Sequence, residues 1–543
     1  MSLEKNDTYK VWQPLALSIV LAIGMLFGYK MNEKSEASLI SFSDNEAKTV
    51  GQVEELIRFI ELRYVDSVDR EDLIANAMDA VLSDLDPHTV YITPSQIGAV
   101  NDEMEGNFRG VGVEIYYIDD TVNVISTVEN GPADLAGVKA FDKLISINDS
   151  LVAGQGLKFS SIRSMLKGDV GDKIEVRVLD REGISKTVNI SIDNIPVSSV
   201  EGGVMIDDQT GYIKINRFGS NTYREFMDYV QVLSEKDSMQ NIIIDLRDNP
   251  GGYLPQATNI LSQLFDTKGN LLVYTQGKND KKLEYKSTGK TFFPIKGISV
   301  LIDENSASGS EILAGAIQDW DRGVVVGRRS FGKGLVQEQY ALSNGGALRL
   351  TVARYYTPTG RSIQRNYDNM DAYYTDYENR YYSGELFSAD SIISADSAIY
   401  NTMNLSRPMY GGGGITPDIF IPVDSMKFQP LYREVIGELP QYVFRKLSMI
   451  DDVESSNIMS YSDSIFSSYI DRKLDLNNEL NLEAMYNAIK DEINASLIKY
   501  IQGEAEVYKY NLPQDEFVKA SLDYFYNIKD LQIMDQQPTA LRN

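Results

Sequence analysis

The stretch ISVLIDENSASGSEILAGAIQD, Ile298 to Asp319, sets the fold class. Ile298–Asp303 is an apolar run that reads as a buried strand, and Ser310–Asp319 reads as a helix. The small residues Ser306, Ala307, Ser308 and Gly309 occupy the join. Around this stretch the same texture repeats. TGYIKI (Thr210–Ile215), NIIIDLR (Asn241–Arg247) and RGVVVG (Arg322–Gly327) are further strands with helical stretches between them. Strand–helix alternation from 196 to about 365 predicts an α/β core with a largely parallel sheet. A serine at the join sits beside the positive end of a helix, among free N–H donors. That suits a nucleophile whose product is an oxyanion. Capping the helix is the plainer use of the same residue, and the stretch alone leaves both open.

Composition narrows the chemistry. The 543 residues contain no cysteine and one histidine. A thiol nucleophile, thiolate metal sites and disulfides are therefore excluded, as is the two-histidine zinc motif. His88 falls in DLDPHTVYIT (Asp84–Thr93), where Pro87 breaks a helical pattern; it reads as a residue that ties a turn together beside Asp86. The formal charge of −26 argues against a nucleic-acid partner and against docking on anionic lipid through a basic patch.

What remains for a hydrolase is carboxylates, a lysine or an oxygen-bound metal, and lysine is the best base this composition offers a serine. GRRSFGKGLVQEQ (Gly327–Gln339) imitates a phosphate loop as far as Lys333 but has Gly334 where magnesium needs Ser or Thr, and LVQEQYAL continues as a strand. Nucleotide binding is rejected. A lysine in a Gly-flanked loop beside an apolar strand can be desolvated, which favours the neutral amine, and a neutral amine can accept a serine proton. In IIIDLRDNPGGYL (Ile242–Leu254), Gly251 and Gly252 follow a strand and can turn backbone N–H groups into a cavity. Taken alone, a glycine pair is weak evidence.

The rest of the chain divides by texture. Val11–Tyr29 is uncharged and long enough to cross a bilayer, with Lys5, Lys10, Lys30 and Lys34 on its flanks and no small-residue cleavage site after it. Residues 1–30 are expected to be an uncleaved membrane anchor, with 31–48 as a polar linker. The lysines tie across the span and do not orient it. Residues 49–105 read as helices, with Val53, Leu56, Ile57, Ile60 and Tyr64 at helical spacing. Residues 106–195 read as short β runs with one helix. Residues 196–428 form the core, interrupted at 366–412 by a Tyr-, Asp- and Ser-rich insertion that reads as a partly ordered surface loop. Residues 429–543 return to helices: Leu482, Met485, Ile489, Ile493, Leu497 and Ile501 mark one stripe, and Phe517, Leu522 and Phe525 another.

These residues carry a family resemblance. SASGSEILAGAIQD followed by GRRSFGKGLVQ resembles the C-terminal processing peptidases, also called tail-specific proteases. DLRDNPGG, YYTPTGRSIQ and GGGGITPDI match further, and GPADLAGVKAFDKLISIND looks like the PDZ domain of those enzymes. The likeness spans roughly residues 50–425. It implies a crotonase-like α/β protease core, an inserted mostly-β PDZ domain, and helical N- and C-terminal regions.

By position it makes Ser308 the nucleophile, Lys333 the general base and Gln337 the residue that orients the lysine. Asp319 matches an accessory acid of some members, and a helix-end salt bridge is an equal use for it. The oxyanion hole would combine the N–H of Gly309 with one from Gly251 or Gly252. Gly309 departs from the usual alanine of the motif, and its N–H survives that change. NFRGVGVEI (Asn107–Ile115) resembles the loop that binds a peptide's terminal carboxylate, with Phe108, Gly110, Val111, Gly112 and Val113 in contact, the peptide adding to the sheet edge as a strand.

The expected protein is a membrane-anchored, extracytoplasmic serine endopeptidase on the periplasmic face of an inner membrane. It needs no cofactor or metal and takes protein or peptide substrates with free C-termini. A homo-oligomer or an adaptor partner is left open. The rival reading is a catalytically silent PDZ adaptor that binds C-terminal peptides.

Overall fold

The computed structural model describes residues 44–236, 238–278, 281–392, 398–450, 458–473 and 482–527. The described residues fall into two compact units, divided between Val81 and Leu82. The expected anchor lies outside the described residues; among those described, no helix is long and apolar enough to cross a membrane. The first helix, Asp44–Arg63, begins inside the stretch expected to be a linker. Arg70, at the start of the helix Arg70–Ser83, bonds Glu54 at 2.7 Å and also Glu61, which ties the two helices together. Of the residues at helical spacing here, Ile57 is buried while Val53, Leu56 and Tyr64 are exposed.

In the second unit, six strands make the central sheet. They run in the order Val200–Met205, Thr210–Ile215, Asn241–Asp245, Gly297–Ile302, Val324–Gly327, Ile419–Phe420. The first pair is antiparallel and every later pair is parallel. Strands this uniformly apolar are buried on both faces. Ile242, Ile244, Ile298 and Val300 meet Phe226, Leu261, Ile312 and Ile317 from the helices Thr222–Glu235, Leu254–Leu264 and Gly309–Asp319. Ile243, Leu301, Val324 and Val326 point the other way, onto Leu512, Phe517 and Val518.

That second contact corrects the domain boundary at 429. The helix Glu516–Tyr526 is the cover of the central sheet, and the hydroxyls of Ser521 and Ser299 meet at 2.7 Å. The separate helical cluster is built by the helices Pro430–Leu447, Ile458–Lys473 and Leu482–Gln502, around Leu439, Val443, Ile465, Ile489, Ile493 and Leu497. A stripe's spacing reveals that a helix face is buried, but not against what.

Residues 107–196 form a β module. Antiparallel strands Val113–Ile118, Thr121–Thr127, Lys143–Ile147, Lys173–Leu179 and Ser185–Ser191 lie in that order, with the helix Phe159–Met165 packed on their core through Ile162. The pairing of Asn107–Gly110 with Asp193–Pro196 brings the module's entry and exit together. Its outer face meets the helical cluster: the Tyr116 and Tyr500 hydroxyls lie 2.8 Å apart, and the rings of Phe141 and Phe444 stack at 4.9 Å.

A second sheet flanks the core, with Leu335–Ala341 at one edge pairing Ala347–Tyr356, which also pairs Val90–Ile92 and Leu271–Gly277. The 366–412 insertion is folded rather than loop-like through its described residues. It contains the helices Met370–Tyr374 and Asp376–Tyr382 and the strands Ile399–Asn401 and Pro408–Tyr410. Its polar residues are compatible with burial because they are paired; Arg380, 3% exposed, bonds Asp376 and two backbone carbonyls.

Candidate active site

The turn between Gly297–Ile302 and Gly309–Asp319 is shaped by Asp303, whose Oδ1 accepts the N–H of Asp248 at 3.0 Å and those of Asn305 and Ser306 at 3.1 Å. The three serines part company here. Ser306 donates to the carbonyl of Leu246 at 2.8 Å and Ser310 to that of Asn249 at 3.0 Å, and both are 0% exposed. Ser308 alone of the three lines a cleft of about 610 Å³. Its φ of +52° is the left-handed region that an L-residue enters only under constraint. The constraint is visible: its N–H donates to Glu311 Oε2 at 2.8 Å, and its carbonyl accepts from Tyr355 at 3.0 Å.

The second arm of the cleft is the loop from Val324–Gly327 to Leu335–Ala341. It is held from inside by Glu311, 1% exposed, whose Oε1 accepts from Ser330 Oγ at 2.5 Å and Gly332 N at 2.7 Å. Burial pushes the Glu311 carboxyl up to about 7, against the hydrogen bonds that favour its charge. Lys333 lines the same cleft as Ser308. Its Nζ donates to Gln337 Oε1 at 2.9 Å, and Gln337 Nε2 donates to the carbonyl of His88 at 2.6 Å. Burial, and after it the charge of Arg349, hold the Lys333 amine below its ordinary value. Among the described residues no hydrogen bond joins Lys333 to Ser308; such contacts often tighten only when substrate arrives.

Gly251 and Gly252 also line the cleft. They do not contribute equally. The N–H of Gly251 is spent on Asn249 Oδ1 at 2.8 Å, so the expected choice between the two falls on Gly252. Gly251 serves instead as a spacer: a Cβ there would lie 2.6 Å from Ser308 Cβ. Gly309, at the first helical position, has no intrahelical acceptor for its N–H.

Of the two uses expected for Asp319, the structure shows the helix-end salt bridge. It is fully buried at the far end of the helix, where Oδ1 lies 2.8 Å from Arg361 and Oδ2 accepts from Thr359 N at 3.0 Å. A helix rises ~1.5 Å per residue, so about 16 Å separates it from Ser308. Its part is the helix-end ion pair.

The Phe108–Val113 loop lies in the β module rather than at the cleft. Phe108 lines a separate cavity of about 530 Å³ with Arg109, Arg163, Lys167 and Arg217. Gly110 is buried close under the Phe108 ring, and Gly112 has φ +74°. The carbonyls of Val111 and Gly112 accept from Ala133 and Val128, while Val113–Ile118 stands at the edge of its sheet.

Sequence reasoning missed Glu311, Tyr355 and the His88 carbonyl. Only Glu311 left a trace, since Ser308-x-x-Glu311 has the spacing of a capping box.

The model of peptidase family S41 matches residues 209–371. A carboxy-terminal-processing protease of Bartonella bacilliformis is 31% identical over 351 residues, covering 64% of this chain and 80% of its own. The chain belongs to peptidase family S41. The carboxy-terminal processing protease CtpB of Bacillus subtilis is 31% identical to this S41 peptidase over 369 residues, covering 64% of it and 75% of CtpB. The solved photosystem II D1 C-terminal processing protease is 27% identical, covers 57% of the peptidase and 89% of its own chain, and superposes with a TM-score of 0.34. Family membership makes this chain a protease and sets the silent adaptor aside.

Proposed function

We propose that this S41 peptidase is a serine endopeptidase that cuts proteins near their C-terminal tails with a Ser308–Lys333 dyad. The observation that carries the reading is that Ser308, Lys333, Gln337 and Gly252 line one cleft while Ser306 and Ser310 are sealed away. The neutral amine of Lys333 takes the proton of Ser308 as Oγ adds to the substrate carbonyl. The negative oxygen so formed faces the N–H groups of Gly252 and Gly309, each such donor being worth ~3 kcal/mol of barrier. Lys333 then returns the proton to the departing amine, which leaves an acyl-Ser308 ester. Water, deprotonated by the same amine, hydrolyses it.

The cleft wall formed by Phe218, Leu254, Tyr285, Ile312 and Leu335 favours an apolar side chain beside the scissile bond. The core is of the crotonase-like kind, and residues 106–195 act as an inserted PDZ domain. An open edge at Val113–Ile118 supports strand addition by a substrate tail, with its carboxylate at the Phe108–Gly112 turn. Location outside the cytoplasm is proposed from the sequence alone, from the uncharged Val11–Tyr29 stretch and the absence of cysteine.

The test uses an unfolded protein substrate. Ser308→Ala and Lys333→Ala should each abolish cleavage with the fold retained, and an active Lys333→Ala enzyme would remove lysine as the base. Amidating the C-terminus of a peptide substrate should slow its cleavage; equal rates would remove the tail-reading role of the β module.

A further inference from the structure

The 366–412 insertion begins where the family match, 209–371, is ending. Yet it reaches the Lys333 arm at several points. Arg380 donates to the carbonyl of Arg329 at 2.6 Å and to that of Ser330 at 2.9 Å. Arg329 pairs with Glu385 at 2.6 Å. Arg365, bonded to Asp376 at 2.5 Å, lies between the rings of Phe331 and Tyr373, 4.0 and 3.8 Å from their centres. Tyr373 itself is 4% exposed, and its hydroxyl sits 2.7 Å from His88 Nε2.

His88 is the link to the chemistry. Its turn is fixed by Asp86, whose Oδ1 accepts from His88 N at 2.8 Å and Thr89 N at 3.0 Å. Thr89 Oγ1 donates to Asp86 Oδ2 at 2.6 Å and accepts from Thr351 N at 3.1 Å. Thr351 is the register partner of Gln337. The turn thus holds the His88 carbonyl directly over the Gln337 amide. Burial, with the charge of Lys333 next, takes the imidazole down to about 4, so the ring is neutral through the working range and acts as a fixed strut.

The two ends of a glutamine amide have nearly the same shape, and hydrogen bonding decides which faces a neighbour. Here the His88 carbonyl accepts from Nε2, which turns Oε1 toward Lys333. A reversed amide would donate an N–H into the lone pair of Lys333 and compete with the serine proton.

We propose that the insertion is part of the catalytic apparatus and that Tyr373 is a positioning residue, acting through the His88 turn on the Gln337 amide and so on Lys333. The inference rests on reading Lys333 as the base. It assigns the tyrosine-rich segment a task that a surface loop would not have.

The experiment measures kcat, KM and melting temperature for Tyr373→Phe in the full chain on an unfolded protein substrate. His88→Ala, which keeps the carbonyl and removes the ring, and Lys333→Ala are measured beside it. Loss of one hydrogen bond from the strut should lower kcat about tenfold, with KM within about twofold and melting unchanged. His88→Ala should reproduce that split. An unchanged kcat for Tyr373→Phe, or a fall in kcat that tracks a fall in melting temperature, overturns the inference. An inactive Lys333→Ala enzyme beside an unimpaired Tyr373→Phe enzyme would sink this inference alone. An active Lys333→Ala enzyme would sink the base assignment instead.

Discussion

The backbone N–H groups of Ser308 and Lys333 donate to one and the same atom, Oε2 of Glu311, each at 2.8 Å. The two loops that carry Ser308 and Lys333 are thereby set against a single buried carboxylate. Its other oxygen takes Ser330 and Gly332, so all four donors converge on one side chain. Glu311→Gln keeps the shape and leaves one oxygen, while its new N–H bonds point at N–H donors. The expected result is a loss of ~1–3 kcal/mol in urea unfolding, with kcat down at least about tenfold. A variant as stable and active as the parent would mean that the carboxylate organises neither loop.

The same residue gives stability a pH dependence. Burial raises the Glu311 carboxyl to about 7 in the folded protein, from an ordinary 4.5. The folded chain therefore keeps a proton that the unfolded chain releases between those values. Raising pH from about 4.5 to about 7 should erode stability through this group, and the loss should be complete above that window. Melting temperature against pH should slope downward there in the parent, and the slope should flatten in Glu311→Gln. Parallel curves for the two proteins would contradict it.

Activity should run the opposite way with pH. As the proposed base, Lys333 must be neutral to accept a proton, and burial with the Arg349 charge holds its pKa below the ordinary lysine value. The kcat/KM profile should rise with pH to a midpoint below that of a solvated lysine, ~10.4. Arg349→Gln removes a like charge that disfavours the ammonium, so the midpoint should move to higher pH. A midpoint that does not move would show that another group titrates.

Much of this was legible in local pattern. The strand, join and helix of Ile298–Asp319 follow from apolar runs and small residues, and Lys333 and Gln337 share a strand arm only four residues apart. What escaped was long-range. Glu311 meets residues 19 to 22 positions later through a turn that no spacing rule encodes. Phe517, Leu522 and Phe525 looked like one more amphipathic face, yet that helix covers a sheet formed some two hundred residues earlier. The insertion looked solvated because it is rich in Tyr, Asp and Ser; the pairing of its Asp376 with Arg380 and with Arg365, just before it, is invisible until the chain folds.

The two glycines proposed for the oxyanion hole should respond differently to alanine. At Gly252, φ is +141° and a Cβ would stand 2.3 Å from the Phe218 carbonyl, a backbone atom that cannot step aside. Gly252→Ala should displace the donor and cost ~10²–10³ in kcat. At Gly309 a Cβ would lie 3.0 Å from Phe218 Cδ2, the edge of a ring that can tilt. Gly309→Ala restores the residue usual in the motif and should stay within about threefold of the parent. Equal losses at both positions would argue that neither N–H is specific to the oxyanion.

Asp319→Asn separates stability from chemistry. Asp319 and Arg361 are both 0% exposed and 2.8 Å apart, with Arg361 also donating to Gln318 at 2.7 Å. Asp319 Oδ1 has no hydrogen-bond partner among the described residues, so charge rather than a hydrogen bond holds the pair. Neutralising one partner leaves a buried guanidinium without its counter-charge, which typically costs ~3–5 kcal/mol. Asparagine can still accept from Thr359, so the helix end should keep its place and the penalty should stay near the lower figure. Ser308 lies three helical turns away on a helix packed along its whole length. Active-site titration should therefore find a smaller folded fraction on warming, while kcat per titrated site stays within about twofold. A large fall in kcat per site, with stability intact, would return Asp319 to the reaction itself.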